Sequence, residues 1–271
     1  MSNEENRISW NKLSDYYQTH TIISLEDVHY GPYAPSEKHL KLLDDVKGKD
    51  CLELGCGGGQ ISIVLAKWGA KSVTGLDISE EQLLHAQTLA SREKVHINFI
   101  RKDMEDLSLA FSNDSFDLII SVHAISYVDD IQKVFHEGFR VLRNKGQFLI
   151  CVLHPIQFVL WEALEEYNFE KIYPYFKESR DIWDWEDENK KKIVSFGQRY
   201  RRFEELVNTL INSGFLIERI VEPKGFSKDQ LQISNFKDIA YYDKKINEKF
   251  IRVNQIIPFS LIISCRKKSV T

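Results

Sequence analysis

Short apolar runs alternate with amphipathic stretches along the first 155 residues of the chain. The runs are bounded by turn-forming residues and are four to eight residues long, which is typical of β-strands in a buried sheet. Five such strands are predicted, at residues 49–54, 72–76, 97–101, 116–121 and 146–153.

The stretches between these runs have the spacing of helices. After a glycine-rich loop, apolar residues recur on one helix face at Ile61, Val64, Leu65 and Trp68. Ser79 and Asp130 stand where helix N-caps are expected. Strands that alternate with helices of this length predict right-handed crossovers and a mostly parallel α/β sheet covered on both faces.

The alternation stops after His154 and Pro155 for about 45 residues. This segment is rich in aromatic residues, and we expect an irregular cap or substrate-binding insertion. A helix then follows over about 203–211, with strands at 215–221 and 257–265. The predicted organisation has an N-terminal helical segment at 1–44, an α/β core at 45–154, a cap insertion at 155–200 and a C-terminal part of the core at 201–271. This last part contains a second insertion at about 225–254.

Composition and charge narrow the classes of partner. The 271 residues carry a formal net charge of -4, so no sequence-wide positive field attracts nucleic acid or an anionic membrane. No apolar run approaches the length of a membrane span. The four cysteines lack the spacing of a zinc site, which favours free thiols in a reducing cytoplasm and predicts no metal.

The candidate chemistry begins in the loop that follows the first of the five predicted strands. Its sequence is Glu-Leu-Gly-Cys-Gly-Gly-Gly-Gln at residues 53–60. Glycines without a Cβ let a nucleoside-bearing ligand approach the amides at the start of a helix. A dinucleotide-binding loop usually has a third glycine where this chain has Gln60, but that mismatch alone leaves two cofactor classes open.

Two carboxylates further along help to choose between them. Asp77 ends the second predicted strand, where it can accept hydrogen bonds from ribose hydroxyls of either cofactor. Asp103 ends the third strand, where its carboxylate can accept from an adenine amino group while the amide of Met104 donates to the ring. These residues favour a single nucleoside over a dinucleotide.

With these motifs in register, the chain resembles the class I S-adenosylmethionine-dependent methyltransferases from about residue 45 to 153, and most of all the bacterial small-molecule, type 11-like group. The resemblance implies a Rossmann-like, doubly wound sheet of seven strands, mostly parallel with an antiparallel last strand. It also implies S-adenosylmethionine as cofactor and S-adenosylhomocysteine as product, bound by the core at 45–154 with the N-terminal helical segment at 1–44 lying over the cofactor site. The expected cofactor-binding residues are Glu53, Gly55, Cys56, Gly57, Gly59, Gln60, Asp77, Ile78, Asp103, Met104, Ser121 and Tyr16.

The acceptor is expected to be small and partly apolar or aromatic, with an oxygen, nitrogen or carbon nucleophile. Positioning and desolvation supply most of the catalysis in such a reaction. His154 and His123 are candidate general bases because each follows the carboxyl end of a strand. His154 can instead shape its turn, and His123 can instead be structural or line the cofactor. The expected substrate-binding residues are Tyr30, Tyr127, Trp183, Trp185 and Tyr200.

Two alternatives remain open at this point. A module that binds S-adenosylmethionine or its product without turnover would use the same loop. A nicotinamide oxidoreductase would keep the fold but needs a hydride-transfer site that the sequence does not reveal. We expect a monomer or a homodimer.

Overall fold

A computed structural model describes residues 1–108, 110–177, 180–234, 236, 239–244 and 247–268. Its helices are α1 (Asn3–His20), α2 (Glu37–Leu40), α3 (Gln60–Lys67), α4 (Glu80–Glu93), α5 (Ile131–Val141), α6 (Pro155–Glu166), α7 (Phe203–Asn212), α8 (Lys228–Ser234) and α9 (Glu248–Asn254). Its strands are β1 (Thr21–Ile23), β2 (Asp50–Leu54), β3 (Ser72–Asp77), β4 (Asn98–Arg101), β5 (Phe116–Val122), β6 (Leu142–Leu153), β7 (Arg180–Glu186), β8 (Lys192–Arg199), β9 (Phe215–Val221), β10 (Tyr241–Asp243) and β11 (Ser260–Lys267).

The central sheet has seven strands in the order β4-β3-β2-β5-β6-β11-β9. Neighbours from β4 to β6 pair in parallel, and β11 lies antiparallel between β6 and β9. The last strand in the sequence is therefore the antiparallel one, as expected. This topology confirms the Rossmann-like, doubly wound fold.

The sheet is buried on both faces because its central strands are apolar at successive positions. Leu52 and Ile119 pack into one core cluster, whereas their neighbours Cys51 and Leu118 pack into the cluster on the opposite face. Side chains of a strand alternate between faces, so a continuous apolar run requires cover on both sides. The helices of the α/β repeat provide that cover.

The strand predictions from the repeat are confirmed to within a few residues at most ends. The largest difference is β6, which begins at Leu142 instead of Gly146. Its pairing with β5 shifts register between Phe116 and Leu118, so the added residues at the start of β6 form an irregularity inside the strand.

The aromatic-rich cap insertion is present as expected, but the prediction that it is irregular was wrong. Residues 155–166 form α6, which has Pro155 at its first turn, where the missing amide hydrogen costs no helical hydrogen bond. The antiparallel pair β7–β8 follows. The proposed boundaries between the parts of the chain stay a prediction.

Helix α1 and the β7–β8 pair form one unit above the sheet. The side-chain amide of Asn6 donates to the carbonyl oxygen of Gly197 and accepts from its amide, both at 2.9 Å. Ser9 donates to the carbonyl oxygen of Ser195 at 2.6 Å, and Leu13 packs with Phe196. A helix is thus bonded to the backbone of a strand, which fixes the cap on the N-terminal segment.

A second, smaller sheet joins the N-terminal segment to the later insertion. Strands β1 and β10 pair antiparallel from Thr21 opposite Asp243 to Ile23 opposite Tyr241. Within the described residues, no helix has both the length and the apolar character needed to cross a membrane.

Candidate active site

A cavity of about 1250 Å³ opens at the carboxyl ends of the parallel strands. Single small-molecule sites usually measure about 300–1,000 Å³, so this cavity has room for two ligands side by side. One half is lined by the glycine loop and the acidic strand ends, and the other by aromatic residues from α1, α6, β7 and the C-terminal insertion.

The glycine loop is held against the end of β3. The amides of Gly55 and Cys56 both donate to the carbonyl oxygen of Leu76, at 2.7 and 2.9 Å. Gly55 has φ +72°, and a Cβ at this position would overlap the side chain of Ala124 in the loop after β5. Glycine is required here for both backbone conformation and close approach.

Glu53 supports the loop from behind. Its carboxylate accepts from the amide of Ser62 at 2.8 Å and from the Ser62 hydroxyl at 2.5 Å, in the first turn of α3. The helix N-cap, Gly59, has no side chain to do this. Glu53 is almost fully buried, and burial raises its pKa to about 8.

Asp77 joins the glycine loop to the next helix. Its carboxylate accepts from the amide of Gly57 at 2.7 Å and from the amide of Ser79 at 2.9 Å. Burial raises the pKa of this carboxyl above its ordinary value. Asp77 lines the cavity next to Ile78, where the sequence analysis placed a ribose contact.

Asp103 lies at the far end of the acidic half, next to Met104. One carboxylate oxygen accepts from the side-chain amide of Asn3 at 2.9 Å, and the other accepts from the amide of Glu105 at 2.9 Å. The side-chain amide of Asn3, at the start of α1, therefore already binds the carboxylate that we expected to accept from the adenine amino group.

Helix α1 also covers the glycine loop. The side chain of Gln18 accepts from Gln60 at 2.7 Å and donates to Gln82 at 2.8 Å. A Cβ on Gly58 would overlap Gln18. Tyr16, one of the expected cofactor residues, lines the cavity and stacks on His20 with ring centroids 3.8 Å apart.

The other half of the cavity is aromatic. Four of the five residues expected to bind substrate line it: Tyr127, Trp183, Trp185 and Tyr200. The indole nitrogen of Trp183 and the hydroxyl of Tyr200 are buried without a hydrogen-bond partner among the described residues.

The two candidate bases have different surroundings. His154 caps α6: its Nδ1 accepts from the amide of Ile156 at 3.0 Å, and its Nε2 lies 2.7 Å from a carboxylate oxygen of Glu222. Both ring nitrogens are thus engaged outside the residues that line the cavity. The expectation that His154 is a general base is therefore corrected. His123 does line the cavity, and burial lowers its pKa to about 4.

Three other predicted site residues do not line the cavity. The Ser121 hydroxyl is fully buried and donates to the carbonyl oxygen of Leu54 at 2.8 Å. Tyr30 is also fully buried, and its hydroxyl donates to Glu37 at 2.7 Å. Gly59 lies behind the loop, where a Cβ would press on Ala86 and Phe99. These three positions are structural, because packing or hydrogen bonding within the protein already uses them.

Several residues that line the cavity were not predicted from the sequence. They come from segments where the periodicity gave no indication of a site: Asn3, Asn6, Gln82, Gln157, Phe158, Tyr241, Phe250 and Phe259. Each becomes a cavity residue only through contacts between distant parts of the chain. His29 belongs with them, and its Nδ1 is buried without a partner among the described residues.

The acidic half fits S-adenosylmethionine better than a dinucleotide. No Lys or Arg in the described part of the chain forms an ion pair with Glu53, Asp77 or Asp103, so these carboxylates suit a ligand with hydroxyl, amino and cationic groups. A dinucleotide would bring a pyrophosphate to the N-terminus of α3. The Glu53 carboxyl group already accepts from an amide of that turn, which removes this donor from a pyrophosphate.

Comparison with known proteins agrees with this assignment. The family model described as a methyltransferase domain matches residues 52–150. The uncharacterized methyltransferase YbaJ of Bacillus subtilis is 33% identical over 195 residues, which cover 68% of this chain and 73% of that protein. A ubiquinone biosynthesis O-methyltransferase of Rickettsia akari is 24% identical over 237 residues, covering 86% of this chain and 84% of that protein.

A solved structure gives the same result. The S-adenosylmethionine-dependent methyltransferase from Mesorhizobium loti superposes with a TM-score of 0.62 at 25% identity, covering 84% of this chain and 94% of that chain. The fold and the site define an enzyme that uses S-adenosylmethionine. The chain belongs to the methyltransferase family.

Proposed function

We propose that this enzyme transfers the methyl group of S-adenosylmethionine to a small, partly apolar or aromatic acceptor bound in the aromatic half of the cavity. The observation that carries the proposal is the division of one cavity into an acidic, glycine-lined half and an aromatic half. Two ligands in such halves lie side by side without a wall between them.

On the cofactor side, the proposed contacts follow the chemistry of each group. The backbone of Gly55 and Gly57 would face the methionyl part, Asp77 the ribose, and Asp103 with Met104 the adenine. Glu53 would act indirectly by holding α3 in place. When bound, the cofactor supplies a methyl group already activated by a sulfonium, so the chain does not have to generate an electrophile.

The work left to the protein is to position the nucleophile and exclude water. Well-oriented reactants gain about 7–11 kcal/mol from proximity alone. The cap supports this role, because Asn6 bonds the covering helix to β8 and the Trp183 and Trp185 rings of the hairpin line the cavity. A closed, apolar surrounding also strengthens the electrostatic interactions inside it.

The acceptor half supports a small molecule with an aromatic ring. Two of its rings, Trp183 and Trp185, are tilted against each other with centroids 5.7 Å apart, and aromatic side chains in such arrangements bind a further ring well. The Rickettsia akari relative is named as an O-methyltransferase of ubiquinone biosynthesis, which supports a hydroxyl oxygen as the atom methylated. We further propose that the enzyme works in the cytoplasm as a monomer or homodimer.

The experiment is a transfer assay with S-adenosylmethionine labelled in the methyl group. The full chain is incubated with panels of phenols, alcohols and amines, and label in the acceptor is measured. We expect transfer by the wild type, loss of at least tenfold in Asp77→Ala, and no loss in Asp45→Ala, which removes an exposed carboxylate outside this cavity. Binding of S-adenosylhomocysteine with no transfer to any extractable small molecule would instead support a binding module.

A further inference from the structure

His123 has an uncommon backbone conformation and directly precedes a residue that contacts the glycine loop. Its φ is +55°, a left-handed conformation that is uncommon for a residue with a side chain and is often found at functional sites. Its amide donates to the carbonyl oxygen of Cys151 at 2.7 Å. The next residue, Ala124, is the one that packs against Gly55. His123 therefore lies one residue from the contact with the glycine loop, and its ring packs against Phe259 with centroids 5.4 Å apart.

The hydrogen bonds behind the ring determine which nitrogen carries the proton. The hydroxyl of Ser260 donates its one hydrogen to the carbonyl oxygen of Tyr30 at 2.6 Å. The same oxygen lies 3.2 Å from Nε2 of His123 and can only accept from it. Nε2 must therefore carry the hydrogen, which leaves Nδ1 with a free lone pair in the neutral ring.

Nδ1 has no hydrogen-bond partner among the described residues, and His123 is one of the residues that line the cavity. The titratable groups around the ring are His29 and Cys151, with the buried Tyr30 hydroxyl and its partner Glu37 behind them. Burial lowers the pKa of His29 to about 3 and raises that of the Cys151 thiol. At neutral pH the two histidine rings are neutral, so the lone pair of Nδ1 is available.

We propose that Nδ1 of His123 accepts the hydrogen of the acceptor's nucleophilic O–H or N–H group, and that Ser260 is the positioning residue that fixes this tautomer. The proposal rests on the proposed function and names its substrate class: a neutral acceptor that still carries a hydrogen on the attacking atom. A phenolate or alkoxide has no hydrogen to donate to Nδ1, and an ammonium group has no lone pair with which to attack.

The step balances without any further reactant. The acceptor's heteroatom forms a bond to the methyl carbon as the carbon–sulfur bond breaks, and that electron pair stays on sulfur. The acceptor's O–H or N–H bond breaks, and its proton moves to Nδ1. The resulting imidazolium still donates from Nε2 to the Ser260 hydroxyl, which limits the movement of the ring.

The tautomer can be tested without knowing the natural acceptor. The full chain is labelled with ¹⁵N-histidine and saturated with S-adenosylhomocysteine, and the ring nitrogens are observed by NMR at pH 7. We expect His123 to show a protonated Nε2 and an unprotonated Nδ1. Ser260→Ala should mix the two tautomers, whereas Ser264→Ala, which removes a buried hydroxyl of the same strand near Gln147, should not.

Phenol and anisole then test the contact, because they share a ring and only phenol has a hydrogen to donate. We expect phenol to shift Nδ1 of His123 and to bind about fivefold more tightly than anisole, the value of one hydrogen bond. His123→Ala should abolish that preference while S-adenosylhomocysteine still binds. If this variant does not fold, loss of the preference in Ser260→Ala provides the same test.

Two results would overturn the proposal. One is a protonated Nδ1 in the wild-type complex, and the other is equal binding of phenol and anisole. Failure of the proposed function would appear differently, as an absence of methyl transfer to any small molecule in the labelled assay, whatever the tautomer of His123.

Discussion

The carboxylate of Glu53 bonds both polar groups of Ser62, the amide and the hydroxyl, and thereby caps α3 from the neighbouring strand. In a dinucleotide-binding fold the same helix terminus receives a phosphate. A carboxylate in that place removes an amide donor and adds a repelling charge when ionised. One pair of residues thus orders the glycine loop and disfavours the competing cofactor class.

The buried carboxyl group of Glu53 makes the free energy of unfolding depend on pH. Burial raises the pKa of Glu53 to about 8 from an ordinary value of 4.5. Between these values the folded protein binds more protons than the unfolded chain, so the contribution of Glu53 to stability is fully present below about 4.5 and is lost as pH rises through about 8. The free energy of unfolding should fall by up to about 1.4 kcal/mol per pH unit from this group.

Urea denaturation at pH 5, 6.5 and 8 measures this effect as a difference between variants. Glu53→Gln should flatten the fall with pH, and Glu81→Gln, at an exposed position in α4, should leave it unchanged. The same pH dependence in wild type and Glu53→Gln would contradict the assignment.

Gly55→Ala should abolish binding of S-adenosylhomocysteine. The added methyl would overlap Ala124 and force the loops after β2 and β5 apart. Gly48→Ala is the matched control, since Gly48 has almost the same φ, +73°, with nothing within 4 Å of an added Cβ. Calorimetry should show at least a tenfold loss of affinity in the first variant and none in the second. Equal affinities would show that close approach at Gly55 is not needed.

His154→Ala should reduce stability without stopping methyl transfer. The variant loses the N-cap of α6 and the contact with Glu222, and loss of a cap costs about 1 kcal/mol. Thermal unfolding should show the loss, and His154→Asn should recover part of it because asparagine is a good N-cap. A hundredfold fall in transfer rate with unchanged stability would restore His154 as a base.

Asn6→Ala should loosen the cap from the N-terminal helix. The substitution leaves the amide and carbonyl of Gly197 unpaired, and an unsatisfied buried group costs about 1–3 kcal/mol. Hydrogen exchange should accelerate at residues 192–199 while the central sheet stays protected. The control is Ile8→Ala, an exposed residue of the same helix, which should not change exchange in β8. Unchanged exchange in the Asn6 variant would mean that the hairpin is stable without α1.

The sequence predicted the α/β repeat well because its determinants are local. Apolar runs at Leu52 and Ile119 and the caps at Ser79 and Asp130 specify strands and helices within a few residues. The hairpin was missed although Trp183 and Trp185 alternate with polar residues. A two-stranded pair is marginal alone, and this one packs on α1, nearly 190 residues earlier in the chain.

The site residues also divide into those that local motifs predict and those that depend on long-range contacts. The cofactor half lies in short motifs, so Asp77 and Asp103 fall in the cavity as expected. The position of His154 in the sequence was equally suggestive, but its partner Glu222 is 68 residues away. The tautomer of His123 depends on Ser260, 137 residues later. Such long-range contacts cannot be derived from one sequence by periodicity and spacing.

The central claim, that the acidic half of the cavity binds S-adenosylmethionine, is tested most directly by calorimetric titration with S-adenosylhomocysteine and, separately, NADH. The wild type should bind S-adenosylhomocysteine with a Kd in the micromolar range and NADH not measurably. Asp77→Ala should lose at least tenfold in affinity. Tight binding of NADH, or S-adenosylhomocysteine binding that does not change in Asp77→Ala, would contradict the account.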